Sequence, residues 1–177
     1  MHEGAPCAYD LGYYDNMLRA YSGSAQLICE RRWAWVAEAA ARTVLDYGAG
    51  IGWFRAFAPA GVQVDTYEVL PTPQTGITRT GYDLLTLWDV LEHLPNLTAI
   101  EGLLLEAQHV AISIPILPPD QPWIGWKHFK PHEHLFYPTQ EQLKALFAHF
   151  GFDEIKRGQP ECPPREDIWN FLYRRVR

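Results

Sequence analysis

Asp46, Gly48, Gly50 and Gly52 stand at every second position of the stretch T-V-L-D-Y-G-A-G-I-G, residues 43–52. An apolar run leads into the acid, and a helix-forming run follows the last glycine. A strand, a glycine turn and a helix N-terminus make a cradle in which a ligand meets backbone N–H groups directly. Glycine permits positive φ and carries no Cβ to hold the ligand away. A second acid, Glu68, ends the next apolar run, 62–67, and D-V-L-E-H-L at 89–94 ends another. Farther along, residues 122–138 read P-W-I-G-W-K-H-F-K-P-H-E-H-L-F-Y-P and hold His128, His132 and His134. Imidazole titrates near neutral pH, which makes His93 and these three candidate bases, with His134 and His128 ranked first and Asp89 beside them. His93 has a second reading, as a hydrogen-bonding anchor for its loop.

The glycine spacing discriminates between cofactors. The dinucleotide fingerprint G-x-G-x-x-G places its third glycine at position 53, which is Trp53. A NAD-linked oxidoreductase is disfavoured on that ground. The pattern D-x-G-x-G-x-G over 46–52, the acid Glu68 and the stretch Y-D-L-L-T-L-W-D-V-L-E-H-L over 82–94 resemble class I S-adenosylmethionine-dependent methyltransferases of the small-molecule-modifying kind. H-E-H-L-F-Y-P-T before a helix is similar to that family's stretch after its fifth strand.

The resemblance implies an α/β fold. Its Rossmann-like sheet is mostly parallel, with helices on both faces and an antiparallel C-terminal strand. It implies S-adenosyl-L-methionine as cofactor and S-adenosyl-L-homocysteine as product. Asp46, Gly48, Ala49, Gly50 and Gly52 would form the cofactor loop, and Glu68 would hold both ribose hydroxyls. The backbone carbonyls of Leu87 and Trp88, beside Asp89, would receive the methionine ammonium. The chain departs from the family pattern at 69–81, where a helix and a third strand are usual and only a short edge strand near 77–80 has room. No acid lies between Glu68 and Asp83 to hold the adenine amine, which leaves Val69, Leu70 and backbone atoms.

The elements that position these residues follow from apolar periodicity and breakers. A helix is expected over 24–41 with Ser24 as its cap, then a first, central strand over 43–47 and a brief helix over 52–60. Strands follow at 62–67, 83–88 and 109–114, with a helix over 97–108 behind Asn96. Thr139 is expected to cap a helix over 140–150, and 152–157 and 168–176 alternate as two closing strands joined at the surface by 158–165. The reading is one domain over 1–177, with a flap at 1–23 carrying Tyr9, Tyr13, Tyr14 and Tyr21. A connection of ordinary length has about 4–6 residues, so the segment 115–138 reads as an insertion lining the acceptor site.

The histidine spacing does not predict a metal. His132 and His134 are two apart, and Pro131 breaks the helix that would align His128 with His132. Lys127 and Lys130 suit an acceptor bearing phosphate or carboxylate. Net charge is −6, which speaks against a nucleic-acid acceptor. No apolar run is long enough to span a membrane. The three cysteines, Cys7, Cys29 and Cys162, lack C-x-x-C spacing and read as free thiols of a cytoplasmic protein. The competing readings are a degenerate methyltransferase-like module acting through a protein partner, motivated by the shortened 69–81 region, and a nucleic-acid methyltransferase.

Overall fold

The computed structural model describes residues 12, 19, 23–69, 74–163 and 165–176. The flap with its four tyrosines (apart from residues 12, 19 and 23), Cys7 and Leu70 lie outside the described residues.

Six strands form one sheet. They are β1 (Thr43–Tyr47), β2 (Gln63–Tyr67), β3 (Leu84–Trp88), β4 (His109–Pro115), β5 (Phe152–Gly158) and β6 (Ile168–Arg175). The spatial order is β2-β1-β3-β4-β6-β5. β1 to β4 run parallel, and β6 enters antiparallel between β4 and β5. Asp46 is level with Thr66 on one side and Thr86 on the other, so all three acids that end parallel strands, Asp46, Glu68 and Asp89, share one edge. Parallel sheets need both faces covered, and alternation along the strands supplies two cores. Leu45, Leu85, Leu87, Val110, Ile112 and Tyr173 face helices α3 (Thr98–Glu106) and α4 (Gln140–His149). Val44, Val64, Leu84, Trp88 and Leu172 face α1 (Ala25–Val36) and the short α2 (Trp53–Ala56).

Most expected elements form, with shifted ends. The first helix stops at Val36, continues as a 3-10 turn to Ala39, and is ended by Ala40 at φ 47. Ser24 accepts the Ile28 N–H through its backbone carbonyl and makes no side-chain cap. Thr139 caps α4 in a capping box: its hydroxyl takes the Gln142 N–H, and the Gln142 side chain takes the Thr139 N–H at 2.8 Å. Among the described residues no helix is long and apolar enough to cross a membrane.

Two expectations fail. Residues 77–80 form no strand; the sheet edge is closed by side chains instead. The Thr66 N–H donates to Thr75 Oγ1 at 2.7 Å, and the Thr75 N–H donates back to Thr66 Oγ1 at 3.1 Å. The Gln74 amide reproduces a strand partner for Glu68, accepting its N–H and donating to its carbonyl. Asp65 is buried, but hydrogen bonds from Thr78, Tyr82 and Gln63 outweigh burial and hold its carboxyl below the usual range. The Gly76 N–H adds one main-chain bond to the Thr66 carbonyl at 3.0 Å, so the edge strand is satisfied mostly by side chains, with little main chain. The second failure is the 158–165 connection, which is not all surface: Glu161 is fully buried.

Thr75→Val keeps the shape and removes the hydroxyl that serves Thr66. Stability is expected to fall by about 1 kcal/mol, with the Thr66 amide exchanging faster with solvent while β3 amides are unchanged; thermal melts and hydrogen exchange measure both.

Candidate active site

The carboxyl edge of the parallel strands opens into a cavity of about 530 Å³. Its floor is the β1 loop and its walls are α1, the ends of β2 and β3, and part of the 115–138 segment. Asp46, Gly48, Ala49, Gly50, Glu68, Val69, Trp88, Asp89, His93, His128 and His134 all line it. Gly52 and Leu87 do not. Gly52 sits at φ 83 where the loop enters α2, and the Leu87 side chain is buried in the α3-side core.

The loop is shaped by three positive-φ glycines, at 75 for Gly48, 57 for Gly50 and 83 for Gly52. Gly48 is also a close approach: a Cβ there would lie 2.4 Å from Val90 Cγ2. The Gly48 and Ala49 N–H groups both donate to the Tyr67 carbonyl, which ties the loop to β2. The Gly50 N–H donates to Glu68 Oε2 at 2.8 Å and the Val69 N–H to Glu68 Oε1 at 2.7 Å, so backbone amides fix the carboxylate at the rim. Asp46 does not receive loop amides. Its carboxyl is buried, takes a hydrogen bond from Thr86 at 2.7 Å, and is pushed by burial up to about 6.

Asp89 ends β3 in the left-handed region, at φ 59. Arg165 reaches its Oδ1 at 2.7 Å and Arg32 its Oδ2 at 2.9 Å. Both arginines also grip Glu161, at 2.7 Å and 2.8 Å, and Asn170 donates to Glu161 at 2.9 Å. Burial raises the Asp89 carboxyl, but the two guanidiniums outweigh it and hold it well below the usual carboxylate range. An acid paired this way is no base, which removes that role for Asp89. Arg32, on α1, points inward, with its side chain 11% exposed, and also stacks over Trp88 at 4.8 Å.

The histidine-rich segment is fastened to the end of β3. Leu135 and Phe136 donate to the Glu92 carbonyl, and His93 Nδ1 lies 2.9 Å from the Glu133 carbonyl oxygen. His134 Nδ1 lies 2.9 Å from the His128 carbonyl oxygen. The His93 and His134 rings meet edge to face at 4.7 Å. Burial, helped by His93, pulls His134 down to about 4. Burial lowers His93 and His128 as well. All three are therefore neutral at pH 7, and His134 is a weaker base than its rank in the sequence implies. His132 is exposed and stands outside the cavity. Trp123, Trp126, Phe129 and Tyr137 pack on one another and do not line the cavity. Lys127 and Lys130 each face a carboxylate, Asp167 at 3.1 Å and Glu133 at 3.2 Å, in exposed pairs of small energetic weight.

Sequence reasoning missed Arg165, Arg32, Glu92 and the α1 residues Ile28 and Cys29, all of which line the cavity. Nothing local marks them, because each acquires its role through partners remote in sequence. Cys29 is buried and its thiol is pushed up to about 11, mainly by that burial, so it is inert.

A model described as a methyltransferase domain matches residues 20–156. No curated protein matches in sequence. Solved structures that share the fold include the following three. Magnesium protoporphyrin IX methyltransferase from Synechocystis PCC 6803, with bound SAH, is 17% identical at a TM-score of 0.66, over 95% of this chain and 96% of its own. A 1,6-didemethyltoxoflavin-N1-methyltransferase from Burkholderia thailandensis is 16% identical at 0.62, over 98% and 93%. A SAM-dependent methyltransferase from Archaeoglobus fulgidus is 15% identical at 0.67, over 92% and 100%. The sheet with its antiparallel last strands is that fold.

Two variants test the geometry. Asp46 has a folded pKa above its unfolded one, so its ionisation opposes folding; the penalty is absent below the unfolded value of 3.8 and complete above about 6. Asp46→Asn is expected to raise stability at pH 8 by up to about 3 kcal/mol and Tm by up to roughly 8 °C. It should flatten the fall in stability between those two pH values, which melts across pH 4–8 record. Gly48→Ala is expected to lower stability by about 2–4 kcal/mol through clash and left-handed strain; adding Val90→Ala should restore only the steric part.

Proposed function

The chain belongs to the methyltransferase-domain family, and we propose that it transfers a methyl group from S-adenosyl-L-methionine to an oxygen or nitrogen of a small-molecule acceptor. The observation that carries this reading is the pairing of Glu68, fixed by the Gly50 amide, with the buried acid Asp46 across one glycine loop.

The residues present fit the cofactor. The cavity falls within the usual ligand-pocket range of about 300–1,000 Å³. A buried carboxyl that burial, against a hydrogen bond from Thr86 and the charge of Arg32, pushes up to about 6 gains from a cationic ligand, and the cofactor's ammonium and sulfonium supply that charge. Glu68 presents a preset carboxylate for ribose hydroxyls. Val69, three-quarters exposed, stands at the rim where adenine would rest.

When bound, the cofactor supplies a sulfonium-linked methyl group, which the acceptor atom takes as the carbon–sulfur bond breaks. The chain's own task is to bind, align and exclude water. Asp46 balances positive charge, and the loop glycines let the ligand approach the backbone. Trp88 and the α1 residues close one side. His93, His128 and His134 bound the acceptor end, where a neutral imidazole can hold a hydroxyl or take its proton as transfer proceeds. The free thiols Cys29 and Cys162 suit a cytoplasmic location.

Calorimetric titration with S-adenosylmethionine and S-adenosylhomocysteine tests the proposal. One site per chain is expected, with Glu68→Ala weakening both ligands tenfold or more, as the loss of charge-assisted hydrogen bonds of about 1.5–3 kcal/mol requires. Neither heat nor a thermal shift with either ligand would overturn it.

A further inference from the structure

The acceptor end of the cavity holds a cluster that the cofactor loop does not use. Glu92, His93 and His134 each offer one donor atom, and these atoms lie within 4.8 Å of one another. His93 Nε2 is 4.0 Å from Glu92 Oε1. The sequence keeps His134 far from the other two, and the Leu135 and Phe136 N–H groups on the Glu92 carbonyl bring it back.

The second ring nitrogens define the geometry. His93 Nδ1 faces the Glu133 carbonyl and His134 Nδ1 the His128 carbonyl, both at 2.9 Å. A carbonyl only accepts, so each neutral ring carries its hydrogen on Nδ1 and directs an Nε2 lone pair toward the cluster. A backbone carbonyl on the far nitrogen is how metal-binding imidazoles are oriented. Glu92 gives the independent sign. It is 2% exposed, and among the described residues its buried Oε2 has no hydrogen-bond partner. Leaving such an oxygen unsatisfied costs energy in an interior that satisfies the Asp65 and Glu161 carboxylates from several sides.

We infer that Glu92, His93 and His134 bind one divalent transition-metal ion at the acceptor end of the cavity. Two imidazoles and a carboxylate suit manganese, iron, cobalt or zinc, and suit calcium or magnesium poorly. Metal–ligand bonds of about 2.0–2.2 Å require donors roughly 3–4 Å apart, so the cluster contracts by at most about 1–2 Å on binding. Three protein donors leave coordination positions open toward the cavity. An acceptor hydroxyl, phenol or enol oxygen placed there is held and acidified, releasing its proton to solvent or to His128. The binding stands on the donor geometry alone; the role assigned to the ion rests on the methyl-transfer reading.

The untagged chain, stripped with chelator, is titrated with Co²⁺ by visible absorption and with Zn²⁺ and Mn²⁺ by calorimetry, with and without S-adenosylhomocysteine. One site per chain and cobalt d–d bands are expected. His134→Ala and Glu92→Gln should each weaken Co²⁺ at least about tenfold, and the exposed His132→Ala should not. Absence of binding of all three ions up to about 100 µM, or unchanged binding in His134→Ala, overturns the proposal. If Glu92→Gln does not fold, His134→Ala decides alone. S-adenosylhomocysteine binding to the stripped protein separates the two readings, since it survives failure of the metal site and is lost with failure of the cofactor site.

Discussion

Four interlocked charges, of which Glu161 is fully buried and the others partly, hold the site together. Arg32 on α1, Asp89 at the end of β3, and Glu161 and Arg165 in the connection before β6 form a closed alternation of signs, with every link between 2.7 and 2.9 Å. The sheet edge of an α/β fold is an open crevice, and its walls come from separate segments. Here main-chain bonds fasten the loop to β2 and the histidine-rich segment to Glu92, and the ion network joins α1, the end of β3 and the connection before β6. Taking charges out of water is expensive, and such a network contributes little net stability compared with apolar packing. Its contribution is specificity of position. Each carboxylate is met from two sides, Glu161 is additionally held by Asn170, and Asp89 is kept in left-handed backbone that a non-glycine residue otherwise avoids. Trp88 under the Arg32 guanidinium carries the same constraint into the strand.

The opposite flank is built economically. Where a third strand would pair with β2, the side chains of Gln74 and Thr75 supply the missing donors and acceptors. This satisfies the edge in a handful of residues. Among the described residues, one side of the cavity is fixed by ion pairs and the other by side-chain hydrogen bonds to the β2 edge.

The division between what the sequence shows and what it hides follows contact distance along the chain. The loop over 46–52 was legible because its constraints are local: positive φ, a Cβ that Val90 forbids, and a strand on either side. The two cores were legible because apolar alternation is local too. The capping box at Thr139 belongs to the same class. Ser24 misled because a serine before a helix is only permissive of a cap. Glu161 and Arg165 lie in a proline-rich connection, which usually is surface; their partners across the crevice, Arg32 and Asp89, are 129 and 76 positions away in sequence, and no periodicity reports that. The absent edge strand was half visible: the shortness of 69–81 showed, but the side-chain mimicry that replaces the strand did not.

The same distinction bears on the histidines. By type and spacing alone, His134 is a plausible base and the metal reading is poor, because ligands were sought at regular intervals along one element. In the folded chain the relevant neighbours are His93 and Glu92, brought over by main-chain hydrogen bonds from residues 135 and 136. Burial then leaves His134 with little appetite for a proton at neutral pH. A base must take a proton; a ligand must offer a lone pair in a fixed direction. Burial is what weakens these imidazoles as bases, against the carbonyl hydrogen bonds at Nδ1, which act the other way on both His93 and His134. The same carbonyls of Glu133 and His128 fix the direction in which each Nε2 lone pair is offered, which is the requirement a ligand has to meet.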